Sequence, residues 1–454
     1  MNTKRYEMDM CSGPLLGKIL LFALPLMLSG ILQLLFNAAD MIVVGHANGP
    51  TSLAAVGSTS SLINLLINLF MGLSVGANVL VAHFFAAKQK DDCSETVHTA
   101  ILVSVISGLF LALVGFVLAR PLLTLMGTPI DVIDKSVIYM QVYFLGMPVV
   151  LLYNFGSAIL RAIGDTKRPL VYLLIAGVVN VLLNLVFVLQ FHMDVAGVAL
   201  ATVLSQALSA FLIVHGLMKT EGYCHLELKC LAIKKDKLLK MLQIGLPAGL
   251  QGAIFSISNV LIQSSINSFG SIAMAGNTAC SNLEGFVYNA MNAIYQTALT
   301  FTSQNYGGKQ YKRIKKVIGL NILLVTLVGG IMGFFVILFG KELLGIYTSD
   351  LDAINYGLIR MHIIFSTYFL CGIMDVLVGC LRGLGRSILP MIVSLLGACG
   401  LRVLWIFTIF RAYPSLESIY ISYPISWILT AFVHLICLLC IMRKLLKKAK
   451  ETQV

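Results

Sequence analysis

The chain has 454 residues, of which 58% are hydrophobic and only 11% charged, and its net charge is +12. Soluble domains hold about 25% charged residues, so this composition excludes an ordinary water-soluble protein. A basic excess of this size would suit nucleic acid, but its distribution along the chain excludes that as well.

Apolar stretches of about 20 residues, the length a bilayer demands of a spanning helix, recur from end to end. Twelve are expected, at about 15–45, 53–85, 97–119, 133–160, 169–190, 196–218, 240–267, 273–305, 316–339, 354–381, 388–410 and 420–443. With the N-terminus set in the cytoplasm, 26 of the 32 Lys and Arg fall on the cytoplasmic side, and only Arg120, Lys135, Lys341 and Arg411 fall outside. Arg360 and Arg402 lie within spans. That asymmetry is the positive-inside signature of a polytopic membrane protein. The expected location is the plasma (inner) membrane, multi-pass, with both termini cytoplasmic. The first span lacks a small-residue cleavage site after a short apolar core, so it reads as a retained helix and not as a signal peptide.

The chain repeats itself with a shift near 221 residues. Leu24-Pro25 matches Leu246-Pro247, Gly30 matches Gly252 and Asn37 matches Asn259. Ala86-Ala87-Lys88-Gln89 matches Gly307-Gly308-Lys309-Gln310, Arg161-Ala-Ile-Gly-Asp165 matches Arg382-Gly-Leu-Gly-Arg386, and Pro169 matches Pro390. Six spans per half is an even number, so both halves insert with the same orientation, a parallel repeat about an axis along the membrane normal. The predicted fold class is all-α integral membrane, with twelve transmembrane helices in two parallel six-helix lobes and a central cleft. The expected divisions are an N-lobe at 1–218, a cytoplasmic linker at 219–239 rich in Lys, and a C-lobe at 240–454.

Motifs for chemistry are absent. There is no HExxH, GxSxG or Walker-type loop, so neither hydrolysis nor direct ATP coupling is expected of this chain. Cys437 and Cys440 form a CxxC inside an apolar helix without further ligands, which reads as packing. The ten cysteines are scattered and suggest no disulfide framework.

Three of the twenty acidic residues fall well inside predicted spans: Asp40, Glu284 and Asp375. An ionisable group there is costly and marks a functional candidate. At about 1.5 Å per residue, Asp40 on the first span lies at the depth of Asn180 and Asn184 on the fifth and Thr202 on the sixth. Asn180 and Asn184 are four apart and share a helix face. A carboxylate, two amide carbonyls and a hydroxyl offer oxygen ligands to a hard cation such as Na⁺; desolvated, the same carboxylate can carry a proton instead. Asn and Thr also simply join helices in membranes. In the second half, Glu284 is expected either to pair with Arg402, which holds the repeat position next to Asn180, or to bind a cation or relay a proton. Asp375 reads as structural, near the cytoplasmic mouth. Pro25 removes one backbone bond mid-helix and permits a bend.

These residues carry a family resemblance. Leu24-Pro25 followed by Asn37 and Asp40, then Leu160-Arg161-Ala-Ile-Gly-Asp165-Thr-Lys-x-Pro169, Gly177-Val-Val-Asn180-Val-Leu-Leu-Asn184 and Gly197-Val-Ala-x-Ala-Thr202 are similar to the multidrug and toxic compound extrusion (MATE) family, along essentially the whole chain. The resemblance implies an N-lobe site for Na⁺ or H⁺ at Asp40, Asn180, Asn184 and Thr202, and bending of the first helix at Pro25. It implies no cofactor beyond the coupling ion. Some family members have a second acid on the fifth span, where this chain has Asn184, and some a glutamate on the seventh, where it reads Phe255-Ser256-Ile257. The family's acid on the tenth span falls near Cys371 and not on Asp375.

The expectation is a secondary active antiporter, not an enzyme, that exports organic cations or drugs by alternating access. Its partners are a cationic amphiphile and membrane lipids, with no nucleic acid, and a monomer is expected. Aromatic and Met side chains suit a cavity for flat cations. The alternatives are a flippase for lipid-linked sugar precursors and a non-transporting sensor or scaffold. A flippase cavity for pyrophosphate lipids should hold several cations, whereas only Arg360 and Arg402 lie within spans. The topology is directly testable. A cysteine placed in the Lys219–Lys240 connection should resist a membrane-impermeant maleimide in intact cells and react after permeabilisation; ready reaction in intact cells would reverse the orientation.

Overall fold

The computed structural model of the chain describes residues 7–451, with the side chains of all of them except 46–50, 53 and 61. The chain ends expected to be cytoplasmic include residues 1–6 and 452–454, which lie outside the described residues.

Every regular element of the described chain is a helix. α1 (Leu15–Ala86) holds two apolar stretches, Leu15–Gly45 and Ala54–Ala86. α2 (Lys90–Leu125) follows, then α3 (Ile133–Leu145) and α4 (Met147–Ala162), which meet at a 48° bend. α5 (Lys167–Leu185) ends in a π-helical turn at Val186–Gln190 and leads to α6 (Asp194–Met218). After the linker come α7 (Lys235–Asn267), α8 (Ser271–Gly307), α9 (Tyr311–Leu338) and the short α10 (Gly340–Gly345). α11 (Leu351–Phe365) and α12 (Tyr368–Gly383) meet at 47°. α13 (Ile388–Ser394) and α14 (Leu401–Trp405) are joined by a π-helical stretch at Leu395–Gly400 and followed by another at Ile406–Phe410, and α15 (Leu416–Glu451) closes the chain.

Nine helical stretches among the described residues are long and apolar enough to cross a bilayer, and the two bent pairs bring the number to eleven. The twelfth expected span is α8. It has 37 residues, ample for a crossing at about 1.5 Å each, but Asn277, Asn282, Glu284, Asn289, Asn292 and Gln296 lower its hydropathy.

The repeat is written into the irregularities of the backbone. Both bent pairs, and the π-helical turns at Val186–Gln190 and Ile406–Phe410, recur at nearly the same spacing. Lys88 and Lys309, paired by the repeat, both adopt a positive φ, of 58° and 56°. Each caps a helix in the same way: Gln89 N–H donates to the Phe84 carbonyl at 3.0 Å and Gln310 N–H to the Asn305 carbonyl at 2.7 Å. These bonds satisfy carbonyls that a helix end otherwise leaves orphaned. The Arg161–Asp165 turn places Gly164 at φ +94°, and its counterpart places Gly385 at +76°. In the first turn Asp165 Oδ1 accepts from Lys167 N–H and Arg168 N–H, both at 3.1 Å, and so caps α5. Arg168 returns to Asp165 and donates to Thr220 Oγ1 at 2.9 Å, tying α5 to the end of α6.

The chain forms two compact units. Unit 1 comprises residues up to Asp9 and Leu28–Gly249; unit 2 comprises Met10–Met27 and the residues from Leu250 onward. The division therefore does not follow the linker. α1 and α7 each change unit just after Pro25 and Pro247, the prolines paired by the repeat. The beginning of α7 belongs to unit 1 because glycines let backbones touch. Gly72-x-x-x-Gly76 on α1 lies against Gly245-x-x-x-Gly249 on α7, and a Cβ at any of the four would collide with backbone of the other helix. Small residues four apart are how membrane helices approach closely without a hydrophobic driving force. Residues Met10–Met27 are held in unit 2 by polar and aromatic contacts. Met10 N–H donates to Gln304 Oε1 at 3.2 Å, Arg313 Nη2 donates to the Ser12 carbonyl at 2.7 Å, and the Phe22 and Phe301 rings meet edge-on at 5.7 Å.

This packing makes a controlled prediction. Gly245→Ala and Gly249→Ala should each destabilise the detergent-solubilised protein by about 1–3 kcal/mol, the usual cost of overpacking, seen as a lower thermal midpoint. Gly319→Ala, where a Cβ meets nothing within 4 Å, should leave the midpoint unchanged or raise it. Equal midpoints for all three variants would contradict the close approach.

Candidate functional site

In unit 1, α1, α5 and α6 bring Asp40, Asn180, Asn184 and Thr202 together. Asn184, fully buried, donates from Nδ2 to Asp40 Oδ1, and the same amide lies 3.4 Å from Asn180 Oδ1. Asn180 Nδ2 reaches Thr202 Oγ1 at 3.5 Å, and Thr202 Oγ1 donates to its own helix, to the Val198 carbonyl, at 3.0 Å. Two of these side-chain contacts sit at the long limit of hydrogen-bond range. Asn184 Oδ1 is buried with no hydrogen-bond partner. An unmet buried acceptor costs about 1–3 kcal/mol, so the cluster holds one carboxylate and one amide oxygen that a donor or a cation would satisfy. The stacked rings of Tyr139 and Tyr143 on α3, 6.1 Å apart, lie within electrostatic reach of Asp40. Sequence spacing did not point to them, because tyrosines are ordinary in an apolar span and nothing set these two apart.

Pro25 lies on α1 in the part that belongs to unit 2, just before the helix continues into unit 1 at Leu28.

Unit 2 differs from the expectation at Glu284. Its partner is Arg360 of α11 and not Arg402. Arg360 grips Glu284 with two bonds, Nε to Oε1 at 2.6 Å and Nη2 to Oε2 at 2.9 Å. Its third nitrogen, Nη1, donates to Asn277 Oδ1 at 2.5 Å, and Tyr420 OH donates to the same oxygen at 3.2 Å. Both charged side chains are largely buried, at 7% and 14% exposure. The physical reason for the different pairing is the fork of the guanidinium. A planar bidentate fit to the carboxylate outweighs a single contact, and only α11 presents Arg360 to α8 in that geometry. The signal available in the sequence was Arg360 itself, an arginine in an apolar span that had to find an acid.

Arg402 is held instead by α15. Its Nε donates to Ser426 Oγ at 2.8 Å, and its guanidinium lies 4.2 Å from the centre of the Tyr423 ring and 5.6 Å from that of Trp427. Asp375 on α12 lies within electrostatic reach of Tyr288 and Arg382. Arg382 is bonded to Tyr295 OH at 2.7 Å and Gln251 Oε1 at 2.9 Å.

An all-α chain of this many apolar spans, built as an internal repeat and carrying isolated charged clusters within its helices, is a polytopic membrane transporter. The MatE family profile matches it twice, over residues 25–186 and 247–408, the two matches starting at the repeat-paired prolines. The chain belongs to the MATE family, whose members are transporters and not enzymes. Among its relatives is a probable multidrug resistance protein of Bacillus subtilis, YoeA, 27% identical over 90% of each chain. A second from the same organism, YpnP, is 28% identical over 87% of this chain and 88% of its own. The multidrug export protein MepA of Staphylococcus aureus is 21% identical over 87% of each. The fold matches a structure described as the outward-facing conformation of a multidrug resistance MATE transporter, with a TM-score of 0.89 and 21% identity over 96% of this chain and 98% of that one.

The Glu284–Arg360 bond is open to a double-mutant cycle. Glu284→Gln and Arg360→Gln should each lower stability by about 3–5 kcal/mol, because each strands a buried charge. The double variant should cost clearly less than their sum. Strict additivity in thermal midpoints would show that the two side chains do not interact.

Proposed function

We propose that this chain is a secondary antiporter of the plasma membrane, with cytoplasmic termini and linker, that exports organic cations in exchange for Na⁺ or H⁺ taken up at the Asp40 cluster. The observation that carries this reading is the bond from Asn184 to Asp40 beside the unmet Asn184 Oδ1. One acid, two amides and a hydroxyl from three helices supply oxygen ligands of the kind a hard cation takes, and a proton on Asp40 would serve the same accounting of charge. The names of the relatives, multidrug resistance and multidrug export proteins, support an efflux role.

Coupling needs the ion to bind one arrangement of the protein better than another. The Asp40 carboxylate either carries its negative charge or has it neutralised by a bound cation or proton, so the same helix ends see two charge states. Loss of the negative charge removes the reason for Asn184 to turn its amide N–H toward α1, and α1 is the helix that carries Pro25 as a bend point. The protein is proposed to act as a monomer on cationic amphiphiles. A flippase for pyrophosphate lipids would require several free cations, and the charge of Arg360 is already matched by Glu284.

The test is dye efflux from proteoliposomes with Na⁺ and H⁺ gradients imposed separately. Asp40→Asn should abolish gradient-driven efflux, at least a hundredfold in rate, while the protein still folds and binds dye. Asn180→Ala, Asn184→Ala and Thr202→Ala should weaken ion dependence by smaller factors, since each removes one ligand and no charge. Wild-type efflux by Asp40→Asn under either gradient would sink the proposal.

A further inference from the structure

Among the described residues Arg402 has no ion-pair partner. It is 4% exposed, and among the described residues no Asp or Glu lies in ion-pair range of it. The carboxylate of Glu284 is occupied on both oxygens by Arg360, and Asp375 makes no ion pair with Arg402. An uncompensated charge in such surroundings is expensive. The Tyr423 and Trp427 faces offset part of that cost, on the order of 2 kcal/mol for a desolvated cation–π contact, and Ser426 takes one N–H.

Two donors remain unmet at the same place. Arg402 Nη2 is buried with no hydrogen-bond partner, and so is Ser258 Oγ on α7, itself 4% exposed. Ser258 lies beside Cys399, which is within electrostatic reach of Arg402. Cys399 belongs to the π-helical stretch Leu395–Gly400, immediately before Arg402. Such single-turn widenings recur at functional sites. A buried guanidinium with an unmet N–H, a neighbouring hydroxyl and aromatic faces beside it suits an anion, and a guanidinium suits a carboxylate best. The repeat sharpens the contrast. Arg402 occupies the register next to the one that Asn180 holds in unit 1, so the same stretch of the fold presents oxygen acceptors in one unit and nitrogen donors in the other.

We propose that Arg402, with Ser258 and the Tyr423 and Trp427 rings, binds the carboxylate of an aromatic substrate, so that among organic cations those that also carry a carboxylate are preferred. This deepens the export reading and rests on it. The xanthene dye rhodamine B, which has a cationic ring system and a free carboxylate, and its ethyl ester, which has the same ring system and no carboxylate, make a matched pair of probes. Binding to the purified full-length protein is followed by fluorescence polarisation. Wild type should bind rhodamine B at least tenfold more tightly than the ester. Arg402→Gln should bring the two affinities within about twofold by weakening rhodamine B alone, Arg402→Lys should retain part of the preference, and Ser258→Ala should reduce it several-fold. Equal binding of the two dyes by wild type, binding of neither, or an undiminished preference in Arg402→Gln overturns the proposal. The wild-type comparison stands even if a variant fails to fold. Efflux of both dyes from proteoliposomes separates the two readings. A preference in binding without export of either dye leaves the Arg402 site standing and removes the transport role.

Discussion

A polar group inside an apolar helix has no water to bond, so it must find a partner in the protein or leave a free-energy cost in place. This constraint explains most of what distinguishes the chain from a generic bundle. Hydroxyls on the spans turn back to their own helices, as Thr202 does to Val198 and Thr297 to Ala293. Charges reach across helices, as Arg360 does to Glu284 and Asn277. Among the buried groups of the described residues that lack a partner are Asn184 Oδ1 in unit 1 and Arg402 Nη2 and Ser258 Oγ in unit 2.

The two halves share backbone devices more faithfully than side chains. The left-handed lysines, the bent helix pairs and the terminal π-turns recur because each answers a geometric demand: end a helix, turn it, or widen it. The polar content has diverged. Unit 1 gathers a carboxylate, amides and a hydroxyl at the depth where unit 2 sets an arginine among aromatic rings and serines. A repeated scaffold thus offers acceptors in one half of the repeat and donors in the other.

Much of the architecture was legible in the sequence. Twelve apolar stretches, the basic asymmetry and the shift near 221 residues are one-dimensional properties, set by hydropathy, charge and periodicity, and they give the fold class without any knowledge of contacts. The Asp40 cluster was legible for a related reason. Its members sit on helices whose rise per residue is fixed, so depth follows from counting, and Asn180 and Asn184 share a face by their spacing. Counting depth does not reveal rotation about the helix axis or which neighbour a long side chain selects.

That limit is where tertiary structure decided. Arg402 and Arg360 were both eligible partners for Glu284 by type and approximate depth, and the choice fell to Arg360 because α11 and not α14 presents a guanidinium squarely to α8. The division of the chain into units was also decided by packing. Charge and composition mark the linker as the boundary, but the bare backbones of Gly72, Gly76, Gly245 and Gly249 join the start of α7 to unit 1, and the bonds from Gln304 and Arg313 join Met10–Met27 to unit 2. The sequence by itself determined how many helices there are, how they repeat and which acids lie within them, because those depend on local composition. Only the tertiary structure determined which charges are matched and which are left open, because a guanidinium's partner is set by the angles and approach of helices far apart in the chain.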